Sequence, residues 1–186
     1  MAVKKKTTTK KVAAKKKTAV ARKPAGKKTP SRAASTLDFE PGSSAGPFTR
    51  AYVKRLQRML DIEFAPEWLA FLEAHNGGKP RRRYFKMGKN TKVLEFFFSL
   101  VPDYEDNERF GDVDVGVIWS QIDDRLNEHL VPFAAVFAGD MLCFDHEGGG
   151  TPRVVLWDHE RSDEDSPVTE PVADDFASFL ALLSAD

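Results

Sequence analysis

Apolar residues first recur at helical spacing at Phe48, Tyr52, Leu56 and Met59, which predicts an amphipathic helix turning Lys54, Arg55 and Arg58 outward. A second helix is punctuated at both ends. Pro66 suits a first turn, Trp68, Leu69 and Leu72 make an apolar stripe, and Asn76-Gly77-Gly78 stops it. The period then shortens to two. Over 93–100, Leu94, Phe96, Phe98 and Leu100 alternate with Val93, Glu95, Phe97 and Ser99, predicting a strand nearly buried on both faces. Over 113–119, Val113, Val115, Val117 and Trp119 are apolar, with Asp114 and Gly116 among the residues between them, and predict another strand. A short helix is expected over 121–129. Strands over 141–144 and 153–157 enclose Gly148-Gly149-Gly150, a hairpin signature. Asp174 is placed to cap a last helix whose Phe176, Phe179, Leu180 and Leu183 share a face. Helices at both chain ends around a run of strands predict an α+β fold, a mainly antiparallel sheet packed with helices.

Charge divides the chain more sharply than hydropathy does. The formal net charge of the 186 residues is zero, yet residues 1–35 hold thirteen Lys and Arg and no acid. The remainder therefore has 15 basic against 28 acidic residues, a net of −13. The basic positions are Lys4, Lys5, Lys6, Lys10, Lys11, Lys15, Lys16, Lys17, Arg22, Lys23, Lys27, Lys28 and Arg32, spaced by Thr, Ala, Val and Pro with no aromatic, Leu or Ile. Such a segment has nothing to bury against its ordering entropy, so 1–35 is expected to be a disordered tail. A Pro-, Gly- and Ser-rich linker over 36–47 and one domain over 48–186 follow. The tail suits salt-dependent, non-specific contact with nucleic acid phosphates. Its competing readings are a solubilising extension and a loose fold-back onto its own acidic body.

Cys143 is the single cysteine, so no intrachain disulfide is possible, and a reducing cytoplasmic setting is expected. No run approaches the ~20 apolar residues of a membrane span, and no apolar core follows the basic N-terminus as a secretory signal requires.

Several elements, in order, resemble the SUKH superfamily, the Smi/Knr group of binding domains. They are Pro66 to Leu72 leading to Asn76-Gly77-Gly78, Val131-Pro132-Phe133-Ala134 followed by Gly139-Asp140, and Cys143-Phe144-Asp145. Val154 to Glu160, which includes Trp157, and Val172-Ala173 before Phe176, Phe179 and Leu180 complete the series. The resemblance covers about 48–184. Ala65 stands where Leu usually precedes the proline, and the basic tail lies outside the pattern. The resemblance implies an α+β domain without catalytic activity or cofactor. It also implies either an immunity role, binding and neutralising a cognate toxin that is often a nuclease, or a regulatory or scaffolding role. The matching positions Trp68, Asn76, Gly77, Gly78, Pro132, Phe133, Gly139, Asp140, Asp145 and Trp157 are expected to be fold determinants, with Phe133 and Trp157 in the core.

Candidate chemistry is sparse. Asp145-His146-Glu147 and Asp158-His159-Glu160 repeat one tripeptide, but a hairpin would place them at opposite ends, where they cannot converge on one metal. His75 and His129 are expected near helix ends. Cys143 inside a strand reads as a buried apolar residue. No G-x-S-x-G setting surrounds a serine, and no phosphate loop follows the glycine triplet.

Acidic surface is abundant. One group is Asp103, Glu105, Asp106, Glu108, Asp112 and Asp114, a second is Asp123-Asp124, and a third is Asp163, Glu164 and Asp165. Carboxylates of one sign can steer a basic partner, such as a toxin with a phosphate-binding cleft, although clustered surface acids are ordinarily just solvated. The leading expectation is a cytoplasmic immunity-type protein that neutralises a basic toxin by surface complementarity. The alternative is a regulatory or scaffolding module tethered to nucleic acid by its tail. No membrane contact is expected.

Overall fold

The computed structural model describes residues 37–185. Among them, β1 (Tyr84–Met87), β2 (Asn90–Phe97), β3 (Leu130–Val136), β4 (Met141–Asp145), β5 (Arg153–Trp157) and β6 (Thr169–Ala173) form one antiparallel sheet in chain order. Four helices accompany it: α1 (Arg50–Leu60), α2 (Pro66–His75), α3 (Val115–Ile122) and α4 (Phe176–Leu182). The fold is α+β, as the alternation of periods predicts.

Both faces of the sheet centre are covered. Leu142, Phe144, Val154 and Leu156 enter the main core, whereas Cys143, Val155 and Trp157 join Leu126 and Leu130 in a smaller cluster. Strands dry on both faces carry apolar residues continuously, which is why 141–144 and 154–157 show no alternation. The main core is aromatic. Phe133 stacks on Phe144 at 4.3 Å between ring centres, and Phe176 and Phe179 meet Phe133 edge-on at 5.6 and 5.7 Å. Trp68 from α2 closes on Phe144 at 5.0 Å.

Several expectations need correction. The stretch 113–119 is not a strand. Asp114 Oδ1 accepts from the backbone N–H groups of Gly116 and Val117 at 2.8 and 3.2 Å, capping α3. Two otherwise orphaned donors are satisfied there, and Val115, Ile118, Trp119 and Ile122 also fit helical spacing. The helix expected over 121–129 reduces to the end of α3 and a 3₁₀ turn, Asp123–Arg125, so His129 borders no helix. In α1 the buried face is Tyr52, Val53, Leu56 and Leu60, while Met59 is 47% exposed. The cap of α4 is Asp175, whose Oδ1 accepts from Ser178 N at 2.7 Å, not Asp174.

Three strands went unread: β1 in a basic stretch, and β3 and β6, each carrying a proline. Pro132 lies at an irregularity in the β3–β4 register, where a missing N–H is tolerated.

The segment 37–47, read as linker, is docked on the domain. Leu37 and Ala45 are buried, and Phe39 stacks on His75 at 4.4 Å. Asn76, which ends α2 at φ 21°, holds the docked chain. Its amide donates to Gly46 O at 2.6 Å and Leu100 O at 3.0 Å, its Oδ1 accepts from Leu100 N, and its carbonyl accepts from Ala45 N. Gly77 follows at φ +77°, where an added Cβ would lie 2.1 Å from Ser99 Oγ and 3.0 Å from Phe97 O. The Asn-Gly-Gly stop is thus also the joint between strap, helix and sheet. The tail readings, Lys4 to Arg32, lie outside the described residues.

Candidate partner-binding surface

The acidic groups resolve into two surfaces. The first lies on the loop after β2. Asp103, Glu105, Asp106, Glu108 and Asp112 are exposed there. The loop is held firmly: Gly111 packs on Tyr104 O, Asn107 Oδ1 accepts from Phe110 N at 3.1 Å, and Arg109 donates to Gly42 O at 2.5 Å. Asp114 does not belong to this surface. Its side chain is fully buried, with Oδ2 accepting from Val101 N and Oδ1 from Tyr52 Oη, both at 2.7 Å. Burial pushes its carboxyl above the ordinary value, against the hydrogen bonds from Val101, Tyr52, Val117 and Gly116 that favour the charge. Asp114 is a structural acid.

The second surface unites two groups that are distant in sequence. Asp123, Asp124, Asp163, Glu164 and Asp165 are all exposed, and Asp165 N donates to Asp124 O at 2.8 Å. Arg125 makes the junction. Its guanidinium donates to the carbonyls of His159 and Ser162 and lies 5.1 Å over the Trp157 ring, while Trp157 Nε1 donates to Arg125 O at 3.2 Å. Ser162 locks the loop from inside, its hydroxyl donating to Asp158 O and accepting from Val168 N. Asp158 and Glu170 pair with Arg161 at 2.7 and 2.6 Å, and the hydrogen bond from Arg161 N, with Arg161's charge, holds the Asp158 carboxyl below its ordinary value.

Beside this lobe, the turn between β3 and β4 carries an exposed apolar knob. Phe137 is 66% exposed, and Ala138 takes φ 72°, a conformation unfavourable for a residue with a Cβ. The turn is tied to the lobe by Asp140, which is buried, pairs with Lys92 at 2.8 Å, and accepts from His159 N at 3.3 Å. The His159 ring lies against Gly139, where a Cβ would meet it at 3.0 Å. The motif Gly139-Asp140 therefore joins a turn to the loop after β5. Sequence reasoning missed Arg125 and Phe137. The one available signal was an arginine directly after Asp123-Asp124.

The antiparallel order places the end of β2 and the end of β5 at opposite ends of the sheet, so the two acidic surfaces are separate. The repeated tripeptides are likewise split: Asp145 pairs with Arg153 at the glycine turn, and His159 sits at the far end. Among the described residues, no group of three or more His, Cys, Asp or Glu is arranged to hold a metal. Cys143 is fully buried and its thiol pushed up by that burial, far from thiolate reactivity. Phe133, Trp157 and Trp68 are core residues, Pro132 is buried at the register irregularity, and Asn76, Gly77 and Gly78 form the strap joint.

This set of fold determinants has a counterpart among known sequences. Residues 51–180 match the family model SUKH_6, described as SMI1-KNR4 cell-wall. The chain belongs to the SMI1-KNR4 family. No curated protein matches its sequence. Among the described residues, no helix is long and apolar enough to cross a membrane.

Proposed function

We propose that this SMI1-KNR4 domain is an immunity-type binding protein, without catalytic role, that neutralises a basic protein toxin by covering it with the lobe around Arg125. The supporting observation is the hydrogen bond from Asp165 N to Asp124 O, which merges two acidic segments into one surface. Five exposed carboxylates stand there, and the exposed Phe137 lies on the β3–β4 turn that Asp140 ties to the loop after β5. Charge of one sign speeds encounter with an oppositely charged cleft, and a desolvated aromatic at the contact slows release. A nuclease cleft, cationic because it binds phosphate, suits such a surface. The acids on the loop after β2 form a reserve candidate at the other end of the sheet.

The test is recovery of the partner on the full chain from the native cell, followed by binding of the purified pair. Reversing Asp124, Asp163 and Asp165 to Lys should slow association at least tenfold at low salt, and Phe137→Ser should speed dissociation. If both variants bind and protect as the parent does, the lobe is not the interface. Reversal at Asp103, Glu105 and Asp106 then tests the other surface.

A further inference from the structure

The tripeptide Asp145-His146-Glu147 does meet a second histidine, but not the one in its repeat. Leu130 and Asp145 are the last facing pair of β3 and β4, and just beyond them His146 N donates to His129 O at 3.0 Å. His129 and His146 are therefore opposite one another across the antiparallel ladder, where facing Cβ atoms stand about 4.5–5.5 Å apart. They also share a face. Val131 and Phe144 both enter the main core, and side chains two residues along a strand return to the same side. The His146 ring accordingly meets the Phe144 ring edge-on, with 6.4 Å between centres. Burial lowers the His146 imidazole below its ordinary value; the Asp145 carboxylate opposes this, and a charge on His129 adds to it.

On that face the chain joining α1 to α2 crosses the histidine pair. Leu60 and Ile62 from this chain and Gly150 from the glycine turn line a cavity of about 520 Å³ that both histidines also line. Three carboxylates complete its wall, Asp61 and Glu63 from the α1–α2 connection and Glu128 beside His129. Glu128 Oε1 lies 3.6 Å from His129 Nε2. Two donor atoms each held at 2.0–2.2 Å from one tetrahedral ion stand ~3.3–3.6 Å apart, so this pair is already near that spacing. Both side chains have room to turn, that of His129 being 40% exposed and that of Glu128 86%.

We propose that His129, His146 and Glu128 bind one divalent cation of the zinc type, with Asp61 and Glu63 facing it across the cavity. Two imidazoles and a carboxylate suit zinc, copper(II) or nickel(II), whereas calcium and magnesium take oxygen donors throughout. Among the described residues no three such side chains stand converged, so the ion gathers its set on binding: backbone pairing fixes the two histidines, and Glu128 turns in. A fourth position stays open to water or to a side chain of a bound partner. Ligation takes the neutral imidazole, the form that burial of His146 favours. The bound ion staples the segment before β3 to the β4–β5 turn. His159 and the loop of the Arg125 lobe lie at the other end of β5, so the site stands whether or not the lobe binds a toxin.

The experiment is isothermal titration calorimetry of zinc chloride into the EDTA-treated full chain at neutral pH, with thermal melts beside it. The parent should take up one zinc per chain and melt higher with zinc present, since an ion that binds the folded state stabilises it. His129→Gln and His146→Gln should each weaken binding about tenfold or more, because losing even an outer partner of a metal ligand typically costs about 10–100-fold. Glu128→Gln should act in the same sense. His159→Gln, in the repeated tripeptide, should bind as the parent does. If His146→Gln melts early without metal, His129→Gln on the more exposed segment carries the test. The proposal is overturned if the parent takes up no zinc, or if the His129→Gln/His146→Gln double variant keeps the parental affinity. Loss in His159→Gln as large as in His129→Gln, or calcium or magnesium binding as tightly as zinc, overturns it as well.

Discussion

Tyr52 Oη donates to Asp114 Oδ1 at 2.7 Å, a buried hydrogen bond between residues 62 apart in sequence. It joins α1 to the cap of α3. The same carboxylate accepts from Val101, Gly116 and Val117, so one side chain satisfies three backbone donors and a phenol. Asp114→Ala should cost about 3 kcal/mol or more by leaving several of these buried donors unpaired. Tyr52→Phe, which removes one, should cost about 1–2 kcal/mol. Urea denaturation of both variants checks the order.

The same pair predicts alkaline behaviour. Burial, then the hydrogen bond and charge of Asp114, push the Tyr52 phenol well above its ordinary value of 10.0. A group whose folded pKa is raised contributes stability that is complete below the unfolded pKa and is lost as pH rises beyond it. Stability should therefore fall above about pH 10, and the fall should be shallower in Tyr52→Phe. Denaturation midpoints from pH 8 to about 12 measure it.

On the acid side the sign reverses. Burial lowers the His75 and His146 imidazoles below 6.5. Each contributes stability that is present above the unfolded pKa and is lost as pH falls through the folded value. Melting temperature should decline as pH drops below about 6.5, and His146→Gln should reduce the decline.

Backbone geometry gives two changes of opposite sign. Gly77→Ala should destabilise by about 2–4 kcal/mol, because it places a Cβ at positive φ against the Phe97 carbonyl. Ala138→Gly should stabilise by up to about 1 kcal/mol by relieving the left-handed alanine beside Phe137. Thermal melts of both settle the signs.

Arg125→Ala should separate the two halves of the acidic lobe. Stability should fall by about 1–2 kcal/mol for the lost carbonyl contacts and the Trp157 stack. Partner binding should fall as in the charge-reversal variant although no acid has been removed. Hydrogen exchange should show faster exchange over 158–168.

Local pattern was enough for α1, α2, α4 and the β4–β5 hairpin, because each carries its own period and its own stop. Pro66, Asn76-Gly77-Gly78 and the glycine triplet act on their immediate neighbours, so their effect is visible in the residue order. Val113 to Trp119 misled because its apolar residues satisfy a strand period and a helix period alike, and a cap at Asp114 decided between them. The strands β1, β3 and β6 had no such local mark; each is a strand because a neighbour supplies its hydrogen bonds.

Residue order alone established the charge division, the α+β class, the aromatic core and the family's series of motifs, since these depend on side-chain chemistry and short-range spacing. Contact between distant segments settled the rest. It withdrew Asp114 from the acidic surface and fused Asp123-Asp124 with Asp163 to Asp165 through Arg125. It also docked residues 37–47 on the domain, with Arg81 N donating to Asp38 O. Such pairings arise from the geometry of sheet closure and buried hydrogen bonding, which act across the chain and leave no periodic trace along it.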